Sequence, residues 1–487
     1  MALYVFGIGG TGARVLKAFT LLLASGMPVA NTEAVIPILI DPDTANGDLT
    51  RTIEILKRYQ AVQRTSGSTT GFFGTEIKSL NELGDGGGAE DQFRFDLEGI
   101  TGKRFKEFVG YESMSRANRA LASLLYSEKN LASDMEVGFK GNPHIGSVVL
   151  NRMRESDLFR KFAASVNEND RVFIISSIFG GTGAAGFPLL VKNIRNADSS
   201  LPNHARLQEM PIGAVTVLPY FDIDATGGRT VIDSNSFIAK TKDALAYYAK
   251  NLTGNSTPRL NALYYIGDTL GNTQAGADGA QEQRNKAHFI ELAAALSIFD
   301  FMQADRSTLK APNGVAQAPR YFEFGLKDGM SPVRFGHFGS RSRATAAKAL
   351  TQYYLFLRFF RDYYATQEDG RWAKDETEKL QRKNLNSEFL SNLSTFNSFY
   401  EQWLEEMEKS GIGFRPFKRT VGEADLLKIV EGFEEKPGFL AVKGLKKYVD
   451  TLNAVVQREN KGLKPEAKLL TLFSKTTAEL VADRIKL

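Results

Sequence analysis

Two short glycine-rich stretches carry the clearest chemistry in this sequence. One is Gly7-Ile8-Gly9-Gly10-Thr11-Gly12 and the other is Gly180-Gly181-Thr182-Gly183-Ala184-Ala185-Gly186. Each follows an apolar, strand-like run and precedes a helix-like one. A turn of that kind presents the first backbone N–H groups of a helix, which have no partner within the helix, together with the positive end of its dipole. Glycines let such a turn approach an anion closely, so phosphate is the natural occupant. Thr11 and Thr182 add hydroxyl groups. Either stretch alone reads equally well as a tight turn. Two of them, about 170 residues apart in one chain, point to a shared polyphosphate. Neither is followed by Gly-Lys-Ser/Thr, which disfavours a P-loop.

The elements around these turns form a pattern. Leu3–Phe6 reads as a strand and Ala13–Ser25 as a helix. Ala34–Ile40 reads as a second buried strand, whose Pro37 suits an edge or a bulge. Thr50–Gln63 and Met114–Leu125 read as helices. Arg171–Ile178 is continuously apolar and β-branched, as in a parallel sheet. Further strands are expected at Gly213–Leu218 and Leu263–Ile266, and helices at Pro188–Arg195, Phe237–Lys250 and Ala287–Met302. This alternation predicts an α/β fold: a parallel, Rossmann-like nucleotide-binding sheet over residues 1–303. The glycine-, serine- and threonine-rich stretch near 65–102 reads as a long mobile insertion. Residues 304–343 read as a linker or the start of a second domain, and 344–487 as a mainly helical C-terminal domain. There Leu350, Tyr353, Tyr354, Leu357, Phe360 and Tyr364 fall on one helical stripe, which suits core packing first and partner docking second.

Composition narrows the function. The chain has 487 residues, with 43% hydrophobic and 24% charged, as in ordinary globular proteins. Zero cysteines exclude disulfides, thiolate metal sites and a cysteine nucleophile, and four scattered histidines disfavour a zinc site. A net charge of +5 is small for this length, so no nucleic acid is expected as partner. No apolar run is long enough for a membrane span. The apolar Ala18–Ala24 reads as a buried helix and not as a signal peptide. A cytoplasmic location is expected.

With these residues in place, the sequence resembles the tubulin/FtsZ superfamily, most closely its divergent prokaryotic tubulin-like members. Gly180–Gly186 is similar to the family's GGGTGSG or GGGTGTGAA phosphate loop, with Phe179 replacing one glycine. Gly7–Leu16 resembles the first loop, GVGGGGGNAV. Gly138–Gly146 resembles GAGGNPEIG, and Val215–Tyr220 resembles VVTKPF. The resemblance covers about residues 1–303 and not the helical C-terminal part. It implies GTP or GDP as the bound nucleotide, with Mg²⁺. It implies phosphate contacts from Gly7, Gly9, Gly10, Thr11, Gly12, Gly180, Gly181, Thr182 and Gly183. It also implies a γ-phosphate contact from the loop of Gly141 and Asn142, and places Asp41 where the second loop follows its strand. Arg14 stands where the family has a base- and ribose-contacting asparagine. Asp268 stands near the base-reading turn. Asp222 and Arg229 follow the VTVLPY strand, where they could reach ribose, Mg²⁺ or phosphate or simply be surface residues. The family's catalytic NxDxxD reaches into the next subunit. Here Glu291 matches its last carboxylate and His288 replaces its first, although both also read as ordinary helix residues, His288 as a cap.

The resulting expectation is a GTP-binding protein, with GTP hydrolysis completed by head-to-tail self-association into a homo-oligomer or filament. The alternative is a nucleotide-binding scaffold or switch with little hydrolysis, docking a protein partner through the helical C-terminal region. A minor alternative is an NAD(P)-dependent oxidoreductase. It would use the first glycine turn and would need Asp41, about 30 residues on, for the ribose.

Overall fold

The computed structural model describes residues 1–83, 93–97, 99–135, 139, 142–220, 222–224, 234–252, 259–268, 273–275, 284–309, 320–324, 330–374, 379–435, 442–458, 462–485 and 487. Of 222–224, 234–238, 273–275, 321 and 323–324 it describes the backbone alone. In the labels used below, strands are β1 (Ala2–Ile8), β2 (Ala34–Ile40), β3 (Glu76–Ile77), β4 (Arg171–Ser177), β5 (Ile212–Val217), β6 (Ala262–Ile266) and β7 (Arg320–Phe324). The helices are α1 (Gly9–Ala24), α2 (Gly47–Ser66), α3 (Pro143–Leu150), α4 (Asp157–Ser165), α5 (Gly181–Arg195), α6 (Ser234–Asn251), α7 (Phe289–Gln303), α8 (Lys348–Asp362), α9 (Ser387–Lys409), α10 (Gly444–Val456) and α11 (Pro465–Leu480).

The seven strands form one all-parallel sheet in the order β3-β2-β1-β4-β5-β6-β7. The fold is therefore α/β and Rossmann-like, as the alternation predicts, with a helical C-terminal region. Burial on both faces explains why β1, β2, β4 and β5 read as continuous apolar runs and do not alternate. Helix α1 is buried almost all round, packed against β1, β4, α2 and α7. That accounts for its signal-peptide-like run. Pro37 sits on the outer side of β2, where β3 has already ended after pairing with Ala34 and Val35. The next outward bonds belong to Leu39, which exchanges them with Phe93 and Phe95. The missing proline N–H falls in the gap between those two patches, so no ladder bond is lost.

Two boundary expectations are corrected. The stretch read as a linker, 304–343, contains the seventh strand, β7, paired in parallel with β6 from Ala262↔Arg320 to Ile266↔Phe324. The first part of the expected mobile insertion is core. Phe72 and Phe73 are fully buried, with ring centroids 5.1 Å from Tyr353 and 5.0 Å from Phe396 respectively. Glycine and serine composition signalled a loop there, but the aromatic pair anchors it to the C-terminal helices. Residues 84–92 and 98 of that stretch lie outside the described residues.

The C-terminal helices close over α2 and α1. Helix α9 packs along α2, α11 touches α2, and α8 touches α1. The predicted stripe faces inward, with Leu350, Tyr353, Tyr354, Leu357 and Phe360 of α8 and Tyr364 just beyond its end all buried. Core packing accounts for it.

Candidate functional site

The strand order turns around between β1 and β4, which are neighbours whose following helices begin at the same edge of the sheet. In open α/β sheets this is where a crevice forms at the carboxyl ends of the strands. The two glycine turns sit there. Helix α1 starts at Gly9 and α5 at Gly181, and neither N-terminus carries a side-chain cap. The turns meet. A methyl group built on Gly9 would lie 3.5 Å from Thr182 Cβ and 3.6 Å from the Gly183 nitrogen. Gly9 itself holds φ +73°, a left-handed conformation that favours glycine. Gly12 and Gly183 serve close packing instead. A Cβ on Gly12 would come within 2.6 Å of the Gly7 carbonyl carbon, and one on Gly183 within 2.6 Å of the Ser177 oxygen. Gly10, Gly180 and Thr182 keep partial exposure at the mouth.

Beneath the first turn lies a buried ionic network built around Arg14. Its guanidinium donates from Nε to Glu291 Oε1 at 2.6 Å and from Nη1 to Asp48 Oδ2 at 2.6 Å. From Nη2 it donates to Thr11 Oγ1 at 3.2 Å and to the Tyr220 hydroxyl at 2.8 Å. Tyr220 in turn donates to Glu291 at 3.0 Å. Burial works against the charged guanidinium, yet Tyr220, Asp48 and Glu291 hold its pKa well above the usual value. The network runs on toward the C-terminal region. Asp48 accepts from the backbone and side chain of Asn285 at 3.0 and 2.9 Å. Arg51 pairs with Glu406 of α9 at 2.6 Å, and Glu406 also accepts from the Ala287 nitrogen at 2.8 Å. Lys17, one turn beyond Arg14, is buried beside these groups. Desolvation and the nearby Arg51 push its amino group down to about 8.

Glu291 therefore faces inward in its own chain. It is fully buried, and its second oxygen accepts from the His288 nitrogen at 3.3 Å. The reciprocal bond runs from Ile290 N to His288 Nδ1 at 3.1 Å, so the two residues cap the start of α7. Burial pushes the His288 imidazole down to about 4, opposed by the charge of Asp268, and a neutral ring is what lets Nδ1 accept. The expectation that these two groups are presented to a neighbouring subunit does not match this placement. At the third residue of a helix a glutamate folds back on its own N-terminus, and Arg14 holds it there.

Of the other sequence-derived residues, Asp268 lies close enough to His288 to act on its charge. Asp41, at the end of β2, accepts from the Asp43 nitrogen at 3.1 Å, and burial raises its carboxyl to about 7. Asn142 precedes α3, which packs on the first turns of α5. A Cβ on Gly146 would sit 2.9 Å from the Gly181 oxygen. Gly141, Arg229 and the side chain of Asp222 lie outside the described residues. Among the described residues, no group of three or more acidic, histidine or cysteine side chains could hold a metal ion, and no helix is long and apolar enough to cross a membrane. Sequence reasoning missed Tyr220, Asp48 and Asn285. A hint was available: Arg14 and Lys17 are charges on an otherwise apolar helix, and a helix buried all round must bring partners to them.

No protein-family model and no curated protein matches the chain. Among solved structures it is similar to CetZ2 from Haloferax volcanii, a GTPgS-bound protofilament, at 12% identity and a TM-score of 0.30, covering 63% of this chain and 61% of that one. It is similar to CetZ1 from Haloferax volcanii, a GDP-bound monomer, at 14% identity and a TM-score of 0.31, covering 63% and 62%. A helical model of the TubZ-Bt two-stranded filament matches at 14% identity and a TM-score of 0.26, covering 64% of this chain and 56% of that one. The chain thus spans about three fifths of the two CetZ chains it matches. Likenesses this distant carry no weight for the site's chemistry.

Proposed function

We propose that the chain is a tubulin-like protein that binds a guanine nucleotide at the crevice between β1 and β4. One observation supports this above the rest. Two glycine turns that are 173 positions apart, counted from Gly7 to Gly180, come into contact at the switch point of the sheet. Both open helices that have no side-chain cap. Gly9, Gly10, Thr11 and Gly12 would hold one part of a polyphosphate, and Gly180, Gly181, Thr182 and Gly183 another. Asn142 would approach from the side of α3. Asp41 and Asp268 would flank the sugar and base. Mg²⁺ would be held mainly by the nucleotide's own phosphates, as is common for this ion. Guanine is named on the resemblance of the sequence elements to the tubulin/FtsZ superfamily alone.

Filament assembly is the accompanying reading for the bound form. Hydrolysis through Glu291 is a weaker one, because that carboxylate is buried and ion-paired within its own chain. The same fact favours a nucleotide-dependent switch or scaffold with little turnover. An oxidoreductase reading uses only the first turn. It needs Asp41 for a ribose, about 30 residues past that turn where about 20 is usual, and it leaves the second turn without a role.

The test is ligand-induced stabilisation. Ligand at 100 times Kd adds about 2.7 kcal/mol. For a chain of this length that is about 3 °C in melting temperature. GTP is expected to give that shift, with ATP and NAD giving less. No shift with any nucleotide sinks the proposal, and a shift with NAD alone replaces it. Turnover per molecule followed against protein concentration separates the two nucleotide readings. A rate that rises with concentration supports subunit-completed hydrolysis, and a flat baseline supports the switch.

A further inference from the structure

We infer that the helix Arg116–Leu125 docks on the same helix of a second copy of this chain, antiparallel and across a two-fold axis. A surface helix normally turns its apolar stripe toward the core. This one turns it outward. Ala117, Ala120, Leu121, Leu124 and Leu125 fall on one side at helical spacing, and all five are exposed, the leucines by 56%, 84% and 65%. Ala122 is the one buried residue of the helix.

Polar contacts hold the inward side. Arg119 donates to the carbonyl oxygens of Glu112 at 2.7 Å and Met114 at 3.4 Å, and Ser123 shares a 2.7 Å hydrogen bond with the Tyr111 hydroxyl. Ser115 caps the start, accepting from the Asn118 nitrogen at 3.2 Å. Past the other end, Tyr126 packs edge-on against Phe105 with ring centroids 4.9 Å apart. The helix is thereby fixed in a pose that shows its leucines to water. Six large hydrophobic side chains are exposed among the described residues, and three of them are these leucines. A contiguous apolar patch of that kind marks a docking surface.

The charges around the stripe choose its occupant. Arg116 opens the helix and Glu128 stands just past its end, both exposed and neither in an ion pair among the described residues. Antiparallel pairing sets each Arg116 toward Glu128 of the other copy, twice over, whereas parallel pairing sets like charges together. It also aligns the two helix dipoles favourably. Ala117 and Ala120 leave room for the helix axes to approach closely. A lipid surface fits less well. The exposed charges next to the stripe, Glu112, Arg116, Glu128 and Lys129, cancel, so nothing there draws an anionic bilayer. The three leucines together expose about two side chains' worth of surface. The paired area therefore falls below the roughly 1,200 Å² of a standard interface, and the dimer is a weak one. An isologous contact closes on itself, so it is separate from head-to-tail assembly and does not depend on nucleotide.

The experiment is sedimentation equilibrium of the full chain without nucleotide, at up to about 1 mM, where even a millimolar dissociation constant registers. A monomer–dimer equilibrium is expected. Leu124→Glu puts a charge into the paired stripe and is expected to weaken the dimer at least tenfold. Its melting temperature at low concentration should hold, because Leu124 is exposed in the monomer. Arg116→Glu and Glu128→Arg should each weaken the dimer, and the two together should restore it. The chain has no cysteine, so single cysteines report the geometry. Leu121→Cys, near the two-fold axis, is expected to give a disulfide-linked dimer under mild oxidation. Ala117→Cys should crosslink to itself far more slowly, since antiparallel pairing sets its two copies about 12 Å apart along the helix axes. The inference is overturned if the wild type stays monomeric throughout, whether or not it binds phosphatidylserine vesicles. It is also overturned if Leu124→Glu lowers the melting temperature or leaves the dimer intact, if the double charge reversal fails to restore pairing, or if Ala117→Cys crosslinks faster than Leu121→Cys.

Discussion

Replacing Arg14 by methionine tests whether the network under the first turn is built as described. Methionine fills similar volume but leaves two carboxylates, Asp48 and Glu291, buried without their cation. The side chains of Asp48 and Glu291 have no exposure, and that of Arg14 has 3%, so solvent cannot compensate. Breaking one partner out of a buried pair costs about 3–5 kcal/mol. Unfolding entropy of about 2 cal/mol/K per residue gives roughly 1 kcal/mol/K for the whole chain. The expected fall in melting temperature is therefore about 3–5 °C. Adding Glu291→Gln removes one stranded charge while keeping an acceptor for Tyr220, so the double variant is expected to melt higher than Arg14→Met alone. The coupling between the two sites is about 1–3 kcal/mol. Differential scanning calorimetry of the wild type, both single variants and the double variant reads this directly. A fall below 1 °C for Arg14→Met, or a double variant that loses the sum of the singles, refutes the reasoning.

Two glycine substitutions should separate fold from binding. Gly12→Ala drives a methyl into the Gly7 backbone and is expected to cost about 1–3 kcal/mol in stability, read as a lower melting temperature. Gly9→Ala meets only ordinary contacts, so its stability cost is the left-handed φ, about 1–2 kcal/mol. Its methyl stands between the two turns, and GTP-induced stabilisation should drop by most of its value. The third prediction concerns pH. His288 has its folded pKa depressed to about 4, so its neutral, folded form loses stability as pH falls from about 6.5 toward 4. Asp41, raised to about 7, acts in the opposite sense and gains stability as pH falls from 7 toward 4. Across that shared window the two slopes oppose each other. Asp41→Asn should uncover the histidine slope and make the protein more acid-sensitive between pH 6.5 and 4 in urea titrations. A pH profile unchanged by Asp41→Asn would remove the Asp41 assignment, and a variant with no loss of stability between pH 6.5 and 4 would remove that of His288.

Much of the frame is local and was legible in the sequence. β1 with its turn and α1, and β4 with its turn and α5, are each written in consecutive residues: an apolar run, glycines, then helical periodicity. Their meeting was inferred only from their number and order. The network was not legible, because Arg14 and Glu291 are 277 positions apart and no spacing rule links them. Matching Glu291 to a motif by position gave it an outward role, whereas an arginine from another element turns it inward. β7 was missed because Arg320–Phe324 is short and set within polar sequence. Phe72 and Phe73 were missed because the glycines around them dominate a compositional reading. In both cases distant partners decide the outcome, and local propensity does not.

The grip of Glu406 on Arg51 and on the Ala287 amide has a practical corollary for anyone cutting the gene. Helix α9 supplies the counter-charge for a cation on α2, holds the entrance to α7, and covers the flank on which Tyr59 and Phe73 rest against Phe396. A fragment that stops before Ser387 would carry the sheet and both glycine turns yet arrive with Arg51 bare and an aromatic wall open to water. Such a piece is expected in inclusion bodies, not as a trimmed nucleotide-binding module.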